Sequence, residues 1–115
     1  MAGAEKRKHP RVEVGIMMDI YTRGRFTKLG PGYIKNLSLG GMCIETPADF
    51  VVGIPLNLRI ALTKSSPFDI LGKVVWKQEY PPRFVYGIKF VEMDFGVKHK
   101  INKYILARLA KEPRN

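Results

Sequence analysis

The sequence predicts an all-β fold, a six-stranded antiparallel β-barrel followed by one C-terminal α-helix. Three observations support this prediction. Apolar and polar residues alternate with a period of two in six short segments, the connections between these segments are too short for parallel crossovers, and the apolar spacing changes to three and four after Asp94. Six twisted strands tend to close on themselves, because closure removes exposed strand edges.

The first half of the predicted barrel contains three strands. The first covers residues 12–21, where valine, isoleucine and methionine alternate with other residues. A basic loop rich in turn formers, TRGRFTKLGPG at 22–32, leads to the second strand, YIKNL at 33–37. The third strand is MCIET at 42–46, so the segment NLSLGG at 36–41 contains a hairpin-like turn.

Three further strands complete the predicted barrel. The fourth starts after Pro55 and continues to Leu62, where SSP interrupts the pattern. The turn YPPR at 80–83 separates the fifth strand from the sixth. The residues predicted to face inward are Phe68, Ile70, Gly72, Val74 and Trp76 on the fifth strand and Phe84, Tyr86, Ile88 and Phe90 on the sixth.

An amphipathic helix is predicted over residues 96–111, since its apolar residues recur at spacings of three and four. The predicted apolar stripe consists of Val97, Ile101, Tyr104, Ile105 and Leu109, and the outer face carries Lys98, Lys100, Lys103, Arg108 and Lys111. Surface helices usually show such a charged outer face. We therefore interpret residues 1–115 as a single domain with a basic N-terminal arm at 1–11, a barrel at 12–94 and this helix.

Composition limits the possible environments and partners. The chain has 115 residues, 45% of them hydrophobic, without an apolar run of the ~18 to 20 residues that cross a bilayer. The N-terminus lacks the apolar stretch of a secretory signal, so a cytoplasmic location is predicted. The net charge of +10 favours anionic partners: nucleic acid, an anionic lipid surface or a phosphorylated small molecule.

Catalytic and metal sites are not predicted. His9 and His99 lie in basic segments without partners at the spacing of zinc ligands, and Ser38 has no identifiable base. The lone Cys43 is interpreted as a small apolar strand residue. Glycine-rich motifs for dinucleotides or triphosphates are absent from the sequence. The sequence therefore favours a protein that is not an enzyme and needs no cofactor.

Two polar motifs are candidates for ligand binding. In NLSLGG, Asn36 and Ser38 lie two residues apart and are expected to share one strand face, while Gly40 and Gly41 allow positive φ and could aim backbone N–H groups at an anion. In RKHPR, at residues 7–11, two arginines lie four residues apart. Guanidinium groups can stack on a base, bind guanine O6 and N7 bidentately, or clamp a phosphate.

Together these motifs resemble the signature of the PilZ domain family, which is RxxxR before the first strand and (D/N)xSxxG at the second and third. The later segments GKVVWKQ and FVYGIKFVEM also resemble the family's strands, so the resemblance spans about residues 6 to 109. It implies a six-stranded barrel with a C-terminal helix and a receptor for the bacterial second messenger cyclic di-GMP. By this resemblance Arg7 and Arg11 grip guanine and phosphate, Asn36 and Ser38 bind the guanine edge and phosphate, and Gly41 permits the turn.

The same resemblance also bears on how many ligands the chain binds. Family members take one cyclic di-GMP or an intercalated pair, and a cation just before the first arginine helps to offset the phosphate charges of a pair. Lys6 occupies that position, so two ligands per chain are expected. The arm is expected to fold over the barrel when the ligand neutralises its charge.

The predicted function is thus a stand-alone cyclic di-GMP receptor that passes its signal by conformational change to a partner protein, which the sequence does not name. A basic barrel that binds nucleic acid is one alternative. It would carry aromatic residues on an exposed sheet face for base stacking, whereas most aromatic residues here fall on the predicted inward set. An adaptor with this fold that binds no nucleotide is another alternative.

Overall fold

A computed structural model describes residues 10–62 and 66–111, and in it the six strands close into an antiparallel barrel, as predicted. The order around the barrel is β1-β2-β3-β6-β5-β4. The predicted arm residues Lys6 and Arg7 lie outside the described residues. The elements are β1 (Val12–Thr22), β2 (Lys28–Leu37), β3 (Gly41–Thr46), β4 (Pro55–Ile60), β5 (Phe68–Tyr80), β6 (Arg83–Glu92) and the helix α1 (Phe95–Lys111).

Strand β2 is longer than predicted, because residues 28–32 pair with β1 instead of forming a loop. Gly30 lies opposite Ile20, and Pro31 lies opposite Asp19. Gly30 has φ +126°, a backbone conformation that glycine adopts without a steric penalty. Pro31 lies beyond the last pair of β2 with β3, where a missing backbone donor is tolerated. Pairing along β1 therefore overrides the local preference of these residues for turns.

The barrel interior is filled by the alternating apolar residues of all six strands, and α1 packs over it. The fully buried side chains include Ile20, Ile34, Leu37, Ile44, Leu56, Leu58, Tyr86 and Ile101. Each buried aliphatic side chain contributes about 1.5 to 3 kcal/mol. Ile101 and Ile105 form the buried stripe of α1, as predicted, and Asp94 caps the helix by accepting a hydrogen bond from the N–H of Val97 at 2.9 Å.

A β-bulge in β5 changes which side chains face outward. The register shifts between Val74 and Trp76, so Val75 is an extra residue in the pairing with β6. Val74 is buried, but Trp76 is 40% exposed and lies opposite Gly87. The prediction that Trp76 faces inward is therefore wrong, because an extra residue exchanges the two faces of the strand after it.

The expectation that most aromatic residues face inward holds only in part, and Phe84, Phe90 and Tyr104 pack half-buried against the core. Phe50, Phe68 and Tyr86 are the buried aromatic residues of the described chain. The exposed ones are Phe26, Tyr33, Trp76, Tyr80 and Phe95. Phe26 lies in a loop, Trp76 follows the bulge, Tyr80 ends β5 and Phe95 begins α1, and simple alternation along the sequence does not record these features.

The hydroxyl of Tyr86 fixes the connection between β3 and β4. It donates a hydrogen bond to the carbonyl oxygen of Ala48 at 2.7 Å and accepts one from the N–H of Phe50 at 2.7 Å. The rings of Tyr86 and Phe50 also pack with their centroids 5.4 Å apart. Burial raises the pKa of Tyr86, while the hydrogen bond from Phe50 opposes this effect.

We predict that Tyr86→Phe lowers the free energy of unfolding by about 1 to 3 kcal/mol, because the buried N–H of Phe50 loses its acceptor. Urea denaturation at neutral pH measures the change. Tyr80→Phe is the matched control, since the Tyr80 hydroxyl contacts only the exposed Gln78 side chain at 3.3 Å. Equal stability of the two variants would contradict the proposed role of the Tyr86 hydroxyl.

Asp69 organises the outer surface formed by β1, β4 and β5. It accepts hydrogen bonds from Nε of Arg59 at 3.0 Å, from Nη2 of Arg59 at 3.2 Å, from Nη1 of Arg25 at 3.0 Å and from Nδ2 of Asn57 at 3.1 Å. The bond from Arg59 is the main reason that the pKa of Asp69 is lowered, and burial opposes it. This network fastens the β1–β2 hairpin loop, which contains Arg25, to β5.

We predict that Asp69→Asn destabilises the protein at pH 7 and that the difference from the parent shrinks on acidification. The pKa of Asp69 is lower in the folded chain than the ordinary value of about 3.9, so its stabilising contribution is present above that pH. The contribution is lost as the pH falls through the lowered pKa. Unfolding free energies measured from pH 7 to pH 3 test this, and a constant difference between the two proteins would contradict it.

Candidate ligand-binding site

The turn that joins β2 to β3 is held together by Ser38. The buried Ser38 hydroxyl accepts hydrogen bonds from the N–H groups of Gly40 and Gly41, both at 3.2 Å, and donates one to the carbonyl oxygen of Gly41 at 3.3 Å. The N–H of Ser38 also donates to that carbonyl at 2.8 Å. The expectation that the glycine N–H groups point towards an anion is wrong, because both are directed at Ser38.

Gly41 is needed for a different reason than predicted. Its φ is not positive, and the positive-φ glycines of the described chain are Gly15, Gly30 and Gly53. A Cβ atom on Gly41 would instead lie 2.1 Å from the carbonyl oxygen of Ile88 on β6. Because such an approach is impossible for a real side chain, glycine at position 41 lets β3 and β6 pair closely at this edge of the site.

The two sequence motifs meet at Arg11 and Asn36. Nη1 of Arg11 donates a hydrogen bond to Oδ1 of Asn36 at 3.3 Å, across a separation of 25 residues. The pairing of Val12 with Leu37 in the β1–β2 ladder brings them together. The structure therefore places the second arginine of RxxxR beside the first polar residue of the turn motif.

A groove of about 250 Å³ opens beside this pair and adds residues that sequence analysis missed. Its lining includes Arg11, Ser38, Gly40, Gly41, Trp76 and Lys89. The Trp76 indole lies directly on the backbone of β6, since a Cβ on Gly87 would be 2.0 Å from its Nε1 atom. The sequence contains a signal for this contact, namely VVW in β5 and Gly87 in β6. Simple alternation does not reveal it, because the bulge at Val75 changes the face on which Trp76 lies.

The groove combines three kinds of contact that suit a nucleotide. Trp76 offers an aromatic face for stacking, and Arg11 and Lys89 supply positive charge. Asn36 does not line the groove but contacts Arg11, and its amide can both donate and accept hydrogen bonds. The positive potential also reaches the buried Cys43, where Lys35 and Arg11 lower the thiol pKa, although burial dominates and raises it.

The described residues offer little for other chemistry. No group of three or more His, Cys, Asp or Glu side chains in residues 10–62 and 66–111 could hold a metal ion. In the same part of the chain, no helix combines the length and the apolar character that crossing a membrane requires. Every buried polar side-chain atom there has a hydrogen-bond partner.

Comparison with known families gives one match over most of the chain. The model of the PilZ domain family matches residues 5–107, which includes both arginines of RKHPR and the whole of NLSLGG. No curated protein matches the sequence significantly.

Several solved structures are similar in fold. The inhibitor of motility from Bacillus subtilis shares 18% identity with a TM-score of 0.77, over 94% of this chain and 53% of its own. The Escherichia coli protein YcgR, solved in complex with c-di-GMP, shares 15% identity with a TM-score of 0.76, over 92% of this chain and 47% of its own. The isolated PilZ domain of YcgR with c-di-GMP shares 14% identity with a TM-score of 0.73, over 92% of this chain and 93% of its own. The chain thus spans about half the length of the first two proteins.

We predict that Gly41→Ala lowers the free energy of unfolding by about 1 to 3 kcal/mol, the usual cost of overpacking, because β6 must move away from the added methyl group. Thermal and urea denaturation measure the change. Gly96→Ala is the matched control, since a Cβ at that exposed helix position makes only an ordinary contact of 3.4 Å with Asp94. Parent-like stability of Gly41→Ala would contradict the close approach of β3 and β6.

Proposed function

Because the chain belongs to the PilZ domain family, we propose that it is a receptor for cyclic di-GMP and binds this ligand in the groove beside Arg11. The observation that carries the proposal is the contact between Arg11 and Asn36, which joins the two family motifs at a groove that also contains an aromatic side chain. Structures of YcgR with c-di-GMP support the choice of ligand.

Each residue of the site has a proposed role. Arg11 binds guanine or phosphate through its guanidinium group, and Asn36 binds the guanine edge. Trp76 stacks on a base, and Lys89 attracts a phosphate. Ser38, Gly40 and Gly41 shape the turn instead of binding directly, because the Ser38 hydroxyl and both glycine N–H groups are already hydrogen-bonded to each other.

Asn36 leaves the groove more positive than an aspartate would. A carboxylate at this position would form an ion pair with Arg11, whereas the neutral amide accepts a hydrogen bond from the guanidinium at 3.3 Å and adds no negative charge. Asn36 therefore does not offset the positive charge that attracts a dianionic ligand. The cost is a weaker acceptor for the guanine N–H groups, since charge-assisted hydrogen bonds are about twice as strong as neutral ones.

The groove holds only part of the ligand. Its volume of about 250 Å³ is below the roughly 300 to 1,000 Å³ of pockets that enclose small molecules. We propose that Arg7 and Lys6, which lie outside the described residues, complete the site from the arm and that their charge admits an intercalated ligand pair.

We further propose that the chain passes its signal to a separate partner protein. In this proposal it acts by binding and not by catalysis, and it does so in the bacterial cytoplasm. Nη2 of Arg108 on α1 donates a hydrogen bond to the carbonyl oxygen of Glu13 at 2.5 Å. Glu13 is two residues from Arg11. A conformational change of the arm when the ligand binds would therefore act on α1 through the hydrogen bond between Glu13 and Arg108. This contact gives the relay a physical route from the ligand to the helix.

We predict that cyclic di-GMP changes the fluorescence of Trp76, the chain's single tryptophan, and that Arg11→Ala weakens binding by about ten- to 150-fold. The loss corresponds to one charge-assisted contact of about 1.5 to 3 kcal/mol. Arg23→Ala is the matched control, because Arg23 is an exposed arginine just beyond the far end of β1. Fluorescence titration measures both variants, with GTP as the competing nucleotide.

A parent chain that does not bind cyclic di-GMP would instead support an adaptor that binds no nucleotide. Calorimetry is expected to give two ligands per chain, and Lys6→Leu is expected to lower this ratio towards one. A ratio of one in the parent would contradict the ligand pair but not the receptor.

A further inference from the structure

The outer face of β2, β3, β6 and β5 carries aromatic side chains next to the ligand groove. Tyr33 on β2 is 40% exposed, Trp76 on β5 is 40% exposed and Tyr80 on β5 is 59% exposed. An exposed sheet face with aromatic residues is the feature that sequence analysis required of a nucleic-acid-binding barrel but did not find.

Strand pairing connects these aromatic side chains through one row of outward residues around the barrel. Tyr33 pairs with Glu45, Glu45 with Val85 and Val85 with Gln78, so one row of residues crosses four strands. Trp76 and Tyr80 flank Gln78 on β5. At a rise of about 3.3 Å per residue, Trp76 lies roughly 13 Å from Tyr80 along β5. These two aromatic side chains are therefore far enough apart for separate bases to stack on them, and Tyr33 lies at the other end of the row, on β2.

Two adjoining depressions make this face a continuous groove. One has a volume of about 470 Å³ and extends between Trp76 and Arg83, and the other has about 560 Å³ and extends from Arg83 to Met17. Both are lined by Glu45 and Arg83. At the Trp76 end the groove meets the candidate site for cyclic di-GMP, because Trp76 lines both.

The charges in this groove suit the bases and phosphates of a nucleic acid. Glu45 lies 3.6 Å from Nζ of Lys35 and 3.4 Å from Nε of Arg83, so its single negative charge is outnumbered. Lys73 and Lys89 pair across β5 and β6 and add positive charge near Trp76. A carboxylate among these cations can accept hydrogen bonds from amino groups of bases, while the cations and the net charge of +10 attract phosphates.

We propose that this groove binds single-stranded nucleic acid, with Tyr33, Trp76 and Tyr80 as stacking positions and Lys35 and Arg83 as phosphate contacts. An exposed barrel face with separated aromatic side chains can stack on unpaired bases, whereas a duplex keeps its bases inside its own stack. Because Trp76 belongs to both sites, cyclic di-GMP and the strand compete. This competition rests on the proposed receptor function, whereas binding of the strand does not.

The test is fluorescence anisotropy of the full chain with labelled 12-nucleotide oligo(dT) and oligo(rU) and with a 12-base-pair DNA duplex. The parent is expected to bind both single strands more tightly than the duplex, with affinity falling as salt rises. Tyr33→Ala and Tyr80→Ala are each expected to weaken strand binding by roughly 5- to 150-fold, the range for loss of one stacked base. Phe26→Ala and Phe95→Ala are matched controls, since these exposed aromatic residues do not line the groove.

Several outcomes overturn the proposal. Absence of strand binding would do so, and so would equal affinity for the duplex or retained binding in a folded Tyr33→Ala, Tyr80→Ala double variant. Circular dichroism and thermal melting establish that the variants are folded. If saturating cyclic di-GMP left the affinity for the oligonucleotide unchanged, the proposal that both ligands bind Trp76 would be wrong. Strand binding in a chain that fails to bind cyclic di-GMP would contradict the receptor function and support this inference.

Discussion

The β-bulge at Val75 determines the orientation of the functional side chains on β5. One extra residue turns Trp76 from the core to the surface and places its indole on Gly87, where a side chain on β6 could not fit. Without the bulge, Trp76 would compete with Val74 and Ile88 for the barrel interior. The candidate site and the outer groove both depend on this single irregularity, since each is lined by Trp76.

The candidate site is partly organised before any ligand binds. Ser38 satisfies the backbone of the turn, and Gly41 brings β3 close to β6, so the protein fixes the shape of the groove with internal hydrogen bonds. The Arg11 guanidinium donates a hydrogen bond to the neutral amide of Asn36, which adds no negative charge beside it. The turn thus fixes the shape of the groove, and the arm supplies its charge. This arrangement suits a receptor for a doubly charged ligand.

Two surfaces that share one side chain provide a simple form of regulation. Cyclic di-GMP at Arg11 and a strand on the Tyr33 and Tyr80 face would both need Trp76, so binding of one disfavours the other without any change of fold. The contact between Arg108 and Glu13 offers a second route, because it connects α1 to the strand that follows the arm. The proposed relay and the proposed competition thus both start near Arg11, since Glu13 is two residues from it and Trp76 lines the same groove as Arg11.

The sequence by itself determined the barrel and the C-terminal helix, because period-two and period-three-to-four patterns are local properties. It also contained both candidate motifs as short stretches, RKHPR and NLSLGG. It did not determine that residues 28–32 belong to β2, that Trp76 faces solvent or why position 41 is glycine. Only the tertiary structure decided these features. Each depends on the neighbouring strand: on β1 opposite Pro31, on the register of β6 beside the bulge, and on the Ile88 carbonyl that approaches Gly41.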